Sequence, residues 1–180
     1  EARKIIEAVR EDFRNYLIVR FFTGLRSGEA NGLKWKFIDF ERRQILVRET
    51  FVDGKTEYTK TDGSQREIDM SQVVFDALKA QHNTAEMKGD NDYVFCFRGG
   101  LPIYNKNFVN RIWNPLFEDL QITRRRPYNM RHTAATLWIA SGEAPEWVAK
   151  QLGHTTTEML FKVYSRYVPN LTRRDGAAFD

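Results

Sequence analysis

Glycine and proline decide where this chain can be regular, and they cut it into short pieces. Ile5, Ile6, Val9, Phe13, Leu17 and Phe21 recur at spacings of one, three or four, so residues 1–23 are expected to be helical. Gly24 is placed to end that helix in a left-handed cap. Ser27 suits the cap of a short helix that follows, with Glu29 in its first turn, where a carboxylate favours the positive end of the helix dipole. Leu33, Trp35 and Ile38 read as core. Three strands are expected next, Gln44–Arg48, Lys55–Thr59 and Arg66–Met70, the last two joined by an Asp62-Gly63 hairpin turn. Helices then return. One runs from a Ser71 cap to about Gln81, and an amphipathic one covers Asn105–Leu120 with a kink at Pro115. Another starts in the turn at Pro127 and reaches Ala140 before Gly142, a short one runs from Pro145 to Gly153, and the last spans Thr156 to Tyr167, stopped by Pro169. The fold class expected is mixed but mainly α: one helical domain with a small three-stranded antiparallel β-sheet.

Composition narrows the function classes. A chain of 180 residues, 42% apolar and 13% aromatic, is enough for one packed domain and little more. Its 28 basic and 24 acidic residues leave a net charge of +4, which permits a polyanionic partner without requiring one. The single cysteine, Cys96, excludes an internal disulfide and a cysteine zinc site, and within the apolar run Tyr93–Phe97 it reads as a buried small hydrophobe. The best apolar run, Tyr16–Phe22, is interrupted by Arg20 and is far too short to span a membrane, and no secretory signal is visible; a cytoplasmic protein with no membrane partner is the expectation. Asp90-x-Asp92 lacks the glycine and distal glutamate of a calcium loop. The absence of an initiator methionine points to a fragment whose amino-terminal region is missing.

The chemistry concentrates in residues 126–164, which carry Arg131, His154 and Tyr164. A guanidinium forks onto a phosphate through two parallel hydrogen bonds, an imidazole holds or moves a proton near neutral pH, and a phenol can become a covalent nucleophile. Gly24-Leu25-Arg26-Ser27-Gly28 does not have the spacing of a serine-hydrolase elbow, and no glycine-rich loop is present to cradle a nucleotide phosphate.

Five motifs agree in order along nearly the whole chain: Thr23-Gly24-Leu25-Arg26-Ser27-Gly28-Glu29; Thr59-Lys60-Thr61 followed by Ser64-x-Arg66-x-Ile68; Met130-Arg131-His132-Thr133; Leu152-Gly153-His154; and Val163-Tyr164-Ser165. Together they resemble the first-arginine, hairpin-lysine, second-arginine, histidine and nucleophile boxes of the tyrosine recombinases, the phage-integrase family. The resemblance implies a site-specific DNA recombinase or integrase that breaks and rejoins strands through a 3′-phosphotyrosyl intermediate. It implies that Arg26 and Arg131 brace the phosphate, Lys60 protonates the leaving 5′ oxygen, His154 bonds the phosphate or takes a proton, and Tyr164 attacks. Tyr167 is the rival nucleophile. Glu29 is expected to orient Arg26, and His132 to be structural, bonding to backbone. The family usually has a histidine three residues before the second arginine; here that position is Tyr128, whose phenol can contact a phosphate but is not a ready base at neutral pH.

Arg124, Arg125, Arg126, Lys106 and Arg111 are the leading candidates to hold DNA, with Lys34, Lys36, Arg42 and Arg43 behind them. The resemblance further implies double-stranded DNA as partner, a homotetramer on DNA for the full-length protein, accessory DNA-bending proteins, and neither metal nor any other cofactor. Residues 1–180 then form the catalytic domain, with the amino-terminal DNA-binding domain absent and 171–180 a polar tail. Two competing readings are a type IB topoisomerase-like nicking-closing enzyme and a DNA-binding module without catalysis.

Overall fold

The computed structural model describes residues 1–59 and 65–164. The first stretch is two helices rather than one, α1 (Ala2–Ala8) and α2 (Arg14–Thr23), joined through a 3-10 turn at Glu11–Phe13. Val9 and Arg10 are extended there, with ψ of 149° and 136°. The helical spacing of apolar residues persists across the break because Val9 and Phe13 are both buried: the periodicity reports burial, and a short extended link preserves it while turning the chain. Gly24 closes α2 at φ +64°, donating its N–H to the Arg20 carbonyl at 3.3 Å. α3 (Ser27–Asn31) is capped by Arg26 instead of Ser27, because the Glu29 carboxylate accepts the Arg26 N–H at 2.8 Å.

Five strands follow: β1 (Ile38–Asp39), β2 (Gln44–Val47), β3 (Glu49–Val52), β4 (Lys55–Tyr58) and β5 (Arg66–Asp69). A three-stranded antiparallel sheet is present in the order β1-β2-β5, with Ile45 opposite Ile68. Its membership differs from the expected one. β4 pairs with β3, a strand the sequence reading passed over, around an Asp53-Gly54 turn with φ of +49° and +81°. Two positive φ values are what a two-residue hairpin turn matched to strand twist requires, and Asp-Gly supplies them. The expected turn at Asp62-Gly63 lies outside the described residues.

α4 (Gln72–Thr84) follows Ser71 and packs on α2. A short hairpin, β6 (Cys96–Phe97) and β7 (Leu101–Pro102), turns through Gly99 and Gly100. Cys96 is exposed, not buried: strand alternation sends Phe95 inward and turns the thiol out. The next helical run is continuous but changes pitch, from α5 (Asn105–Phe108) through a π turn at Val109–Trp113 into α6 (Asn114–Asp119). The widened turn lets the chain pass Pro115, which has no N–H to give to the preceding turn. α7 (Asn129–Ala140) starts two residues after Pro127, whose carbonyl accepts the Met130 N–H. α8 (Pro145–Leu152) ends at Gly153, and α9 (Glu158–Tyr164) is the last described element. The expected extension to Tyr167, its stop at Pro169 and the tail fall outside the described residues.

The main core gathers α1, α2, the sheet, α4 and the α5–α6 run; a smaller one joins Ala135, Ile139, Val148, Leu152, Leu160 and Tyr164 of α7, α8 and α9. Gly32, after α3, lets that helix lie directly on β3, since a Cβ there would stand 2.8 Å from the Phe51 nitrogen and 2.9 Å from the Thr50 carbonyl carbon. Gly32→Ala is therefore expected to lower unfolding stability by about 1–3 kcal/mol in urea denaturation. Gly99→Ala, where no atom stands within 4 Å of the added carbon, is expected to lose only about 1 kcal/mol, from its positive φ.

Candidate active site

A buried carboxylate fixes the first half of the site. Glu29 accepts from Arg26 Nη1 at 2.8 Å, and from both terminal nitrogens of Arg66 on β5 at 2.9 Å each. Arg66 Nε donates to the Gln151 carbonyl at 2.7 Å, so α3, β5 and α8 meet on one ion cluster. Burial alone would raise the Glu29 pKa, but the hydrogen bonds and charge of Arg66, with the charge of Arg26, hold it down at about 2. Arg26 is tethered yet keeps its side chain 38% exposed. Arg66 was not among the predicted site residues. Period-two alternation with the core residue Ile68 puts it on the buried face, and that signal could have found it.

Arg131 supplies the second half. Its side chain is buried and bonded to the ends of two other helices: Nη1 donates to the Gly24 carbonyl at 2.8 Å and Nη2 to the Leu152 carbonyl. Helix C-termini carry negative partial charge, which suits a guanidinium. Nη2 also donates to His154 Nε2 at 3.3 Å. Burial and the neighbouring charge of Arg26 bring the Arg131 pKa down to about 10, still protonated at neutral pH. Burial and the charges of Arg131, Arg26 and Arg66 push His154 down to about 4, so its ring is neutral at pH 7 and accepts from Arg131. Two sites predicted far apart in sequence, Arg131 and His154, thus touch, and the Gly24 turn that carries Arg26 is bonded to Arg131.

Tyr164 packs in the smaller core, only 4% exposed, and its hydroxyl is hydrogen-bonded to His132 Nδ1 at 2.5 Å. This corrects the expectation for His132: its ring bonds the phenol, not backbone. Consecutive residues on a helix point about 100° apart, so His132 serves Tyr164 while Arg131 faces Gly24 and Leu152. Burial drives the Tyr164 pKa up to about 12, against the pull of the Arg131 charge. Burial, then Arg131, lowers that of His132. Tyr128 is half exposed, with its ring edge-on to His132 at 5.2 Å between centroids.

Lys60 and Tyr167 lie outside the described residues. Arg124, Arg125, Arg126, Lys106 and Arg111 are all exposed, Arg125 paired with Glu1 at 3.3 Å. Lys34 and Lys36 are instead drawn onto the buried carboxylate of Glu49, at 2.5 and 3.7 Å. Arg20, which reads in sequence only as a break in an apolar run, is buried and donates to Ser27 Oγ at 2.8 Å and the Pro127 carbonyl at 3.4 Å, joining the segments that carry Arg26 and Tyr128.

A carboxylate held below its unfolded pKa stabilises the fold fully above that value and loses the contribution as pH falls through the folded one. Glu29 contributes fully above about pH 4.5, and the contribution falls away toward pH 2. Glu29→Gln is expected to lose about 3 kcal/mol at pH 7 and to flatten the acid limb of a stability-versus-pH curve. His154, held neutral by a lowered pKa, adds a separate limb that begins near pH 6.5 and continues toward pH 4; that limb is expected to vanish in His154→Gln.

Comparison with known proteins gives one answer. The prophage integrase IntR of Escherichia coli (strain K12) is 27% identical, covering 95% of this chain and 47% of that protein. The ICEBs1 integrase of Bacillus subtilis (strain 168) is 28% identical over 94% of this chain and 50% of its own length. The chain therefore spans about half the length of the curated relatives it matches. Among solved structures, the Tn1549 transposon integrase in complex with a circular intermediate DNA superposes with a TM-score of 0.80 at 20% identity, covering 98% of this chain and 62% of that one. The XerA recombinase superposes at 0.72 with 23% identity, over 94% and 62%. At that identity the superpositions establish the fold. Residues 1–170 match the phage integrase family, and the chain belongs to it.

Proposed function

We propose that this chain is the catalytic domain of a tyrosine-type site-specific DNA recombinase, acting on double-stranded DNA through a covalent 3′-phosphotyrosyl intermediate. The observation that carries the reading is the bonded assembly Glu29–Arg26, Gly24–Arg131–His154: two guanidinium groups and a neutral imidazole on a rigid backbone frame. Within this assembly Glu29 bonds Arg26 and Arg66, and Arg131 stands beside them. Guanidinium groups gathered in this way suit an anion whose charge grows in the transition state.

The Tyr164 oxygen attacks phosphorus, the bond to the 5′ oxygen breaks, and the strand stays attached through its 3′ phosphate. A 5′-hydroxyl from another strand reverses the step. The bond energy is conserved in the ester, so the cycle has no need of ATP or a metal. Arg26 and Arg131 brace the non-bridging oxygens, and His154 keeps Arg131 aimed. Lys60 protonates the leaving oxygen. Arg124, Arg125, Arg126, Lys106 and Arg111 hold flanking phosphates, giving affinity and salt dependence rather than sequence reading. Tyr128 adds a phosphate contact. The whole protein works as a homotetramer on two duplexes, with accessory DNA-bending proteins aligning the sites.

The experiment uses a nicked suicide duplex bearing the attachment site of the element that encodes the protein, read by denaturing gel. Wild type is expected to form a covalent adduct and Tyr164→Phe none, with DNA binding retained. Arg131→Ala is expected to slow adduct formation by about 10²–10³-fold. DNA binding without an adduct in the wild type would overturn the reading in favour of a binding module.

A further inference from the structure

Tyr164 is a poor nucleophile as it stands. Its hydroxyl is buried, and its pKa lies near 12, so the phenolate fraction at neutral pH is only about 10⁻⁵. Attack on phosphorus needs a group that accepts the proton as the new bond forms. We propose that His132 is that group: its Nδ1, 2.5 Å from the Tyr164 hydroxyl, takes the phenolic proton during strand cleavage and returns it during rejoining. The inference rests on the strand-transfer reading above.

The geometry separates His132 from the other candidates. His154 Nε2 already accepts from Arg131 at 3.3 Å. Tyr128 can donate a hydrogen bond, but a neutral phenol is no base at pH 7. Glu1 and Arg125, which line the same hollow as His132 and Tyr164, pair with each other at 3.3 Å. The His132 ring is held on two sides, edge-on by Tyr128 at 5.2 Å and tilted against Tyr164 at 5.6 Å between centroids. Burial and the adjacent Arg131 charge lower its proton affinity, which favours the neutral ring at pH 7; acting as the base requires the tautomer with the lone pair on Nδ1 and the proton on Nε2.

The step balances. As Tyr164 Oη bonds to phosphorus, its O–H bond breaks toward Nδ1 and the imidazole becomes imidazolium. The electron pair of the breaking P–O bond leaves on the 5′ oxygen, which takes its proton from Lys60 under the function proposed. In rejoining, the incoming 5′-hydroxyl gives its proton back to that acid, and the imidazolium reprotonates the departing Tyr164 oxygen.

The test is the single-turnover rate of adduct formation on the nicked suicide duplex, in wild type and in His132→Asn, whose amide oxygen keeps an acceptor near the Nδ1 position without basicity. The variant is expected to lose about 10²–10⁴-fold in rate with DNA affinity unchanged. Its rate is expected to climb about tenfold per pH unit between pH 7 and 9, where the wild type is flat, because direct ionisation of the phenol takes over. The loss is expected to persist on a duplex with sulfur in place of the bridging 5′ oxygen, whose thiolate leaves without protonation; this separates a missing base from a missing acid. A wild-type rate, a faster rate, or a loss with an unchanged pH profile and recovery on the sulfur substrate would each overturn the proposal. Independently of any change at 132, nitrogen-15 spectra of the three histidines are expected to show a neutral ring whose Nδ1 signal shifts in Tyr164→Phe; a proton on that Nδ1 would overturn it too. A wild type that binds the duplex but forms no adduct would instead remove the strand-transfer reading on which the proposal stands.

Discussion

The Glu29 carboxylate is the point on which the site depends. It is nearly inaccessible to water, it caps the helix that carries Arg26, and it takes two parallel bonds from Arg66. Burying a charge is costly unless it is paired and hydrogen-bonded, and here each oxygen is satisfied by a guanidinium. The result is more than local. Arg66 also bonds the last turn of α8, so the segment leading to His154 is registered against the helix carrying Arg26. Arg131 closes the frame from the other side, reaching the ends of α2 and α8 together.

That frame explains how like charges coexist. Burial, and then the charges of Arg131, Arg26 and Arg66, depress the proton affinity of His154; burial, and then Arg26 and Arg66, depress that of Arg131. Such repulsion is tolerated because Gly24 and Leu152 present carbonyl dipoles to Arg131, while Glu29 neutralises part of the rest. Arg26 is the most accessible of the three and so the first that an arriving anion would meet.

Much of this was legible in the chain, for identifiable reasons. Gly24 and Gly153 mark helix ends because few other residues accept positive φ, so the turns carrying Arg26 and His154 could be placed. Glu29 could be tied to Arg26 because a carboxylate three residues past a cap reaches back to it. What was hidden depends on contacts distant in sequence. Nothing local distinguishes β3, whose pairing with β4 depends on the Asp53-Gly54 turn that joins them. Arg20 reads as an interruption because its acceptors, Ser27 and Pro127, lie on other segments. His132 reads as structural because its phenol partner is 32 positions away on another helix.

The central claim is that Tyr164 joins DNA covalently, and peptide mapping of a trapped adduct tests it most directly. Tryptic cleavage after Lys162 and Arg166 leaves residues 163–166 as one peptide and puts Tyr167 in the next. After nuclease trimming, mass spectrometry is predicted to find the 3′-phosphonucleotide on the 163–166 peptide, at Tyr164. A nucleotide on the peptide that begins at Tyr167, or on any other residue, would contradict the assignment of the nucleophile and of the site built around it.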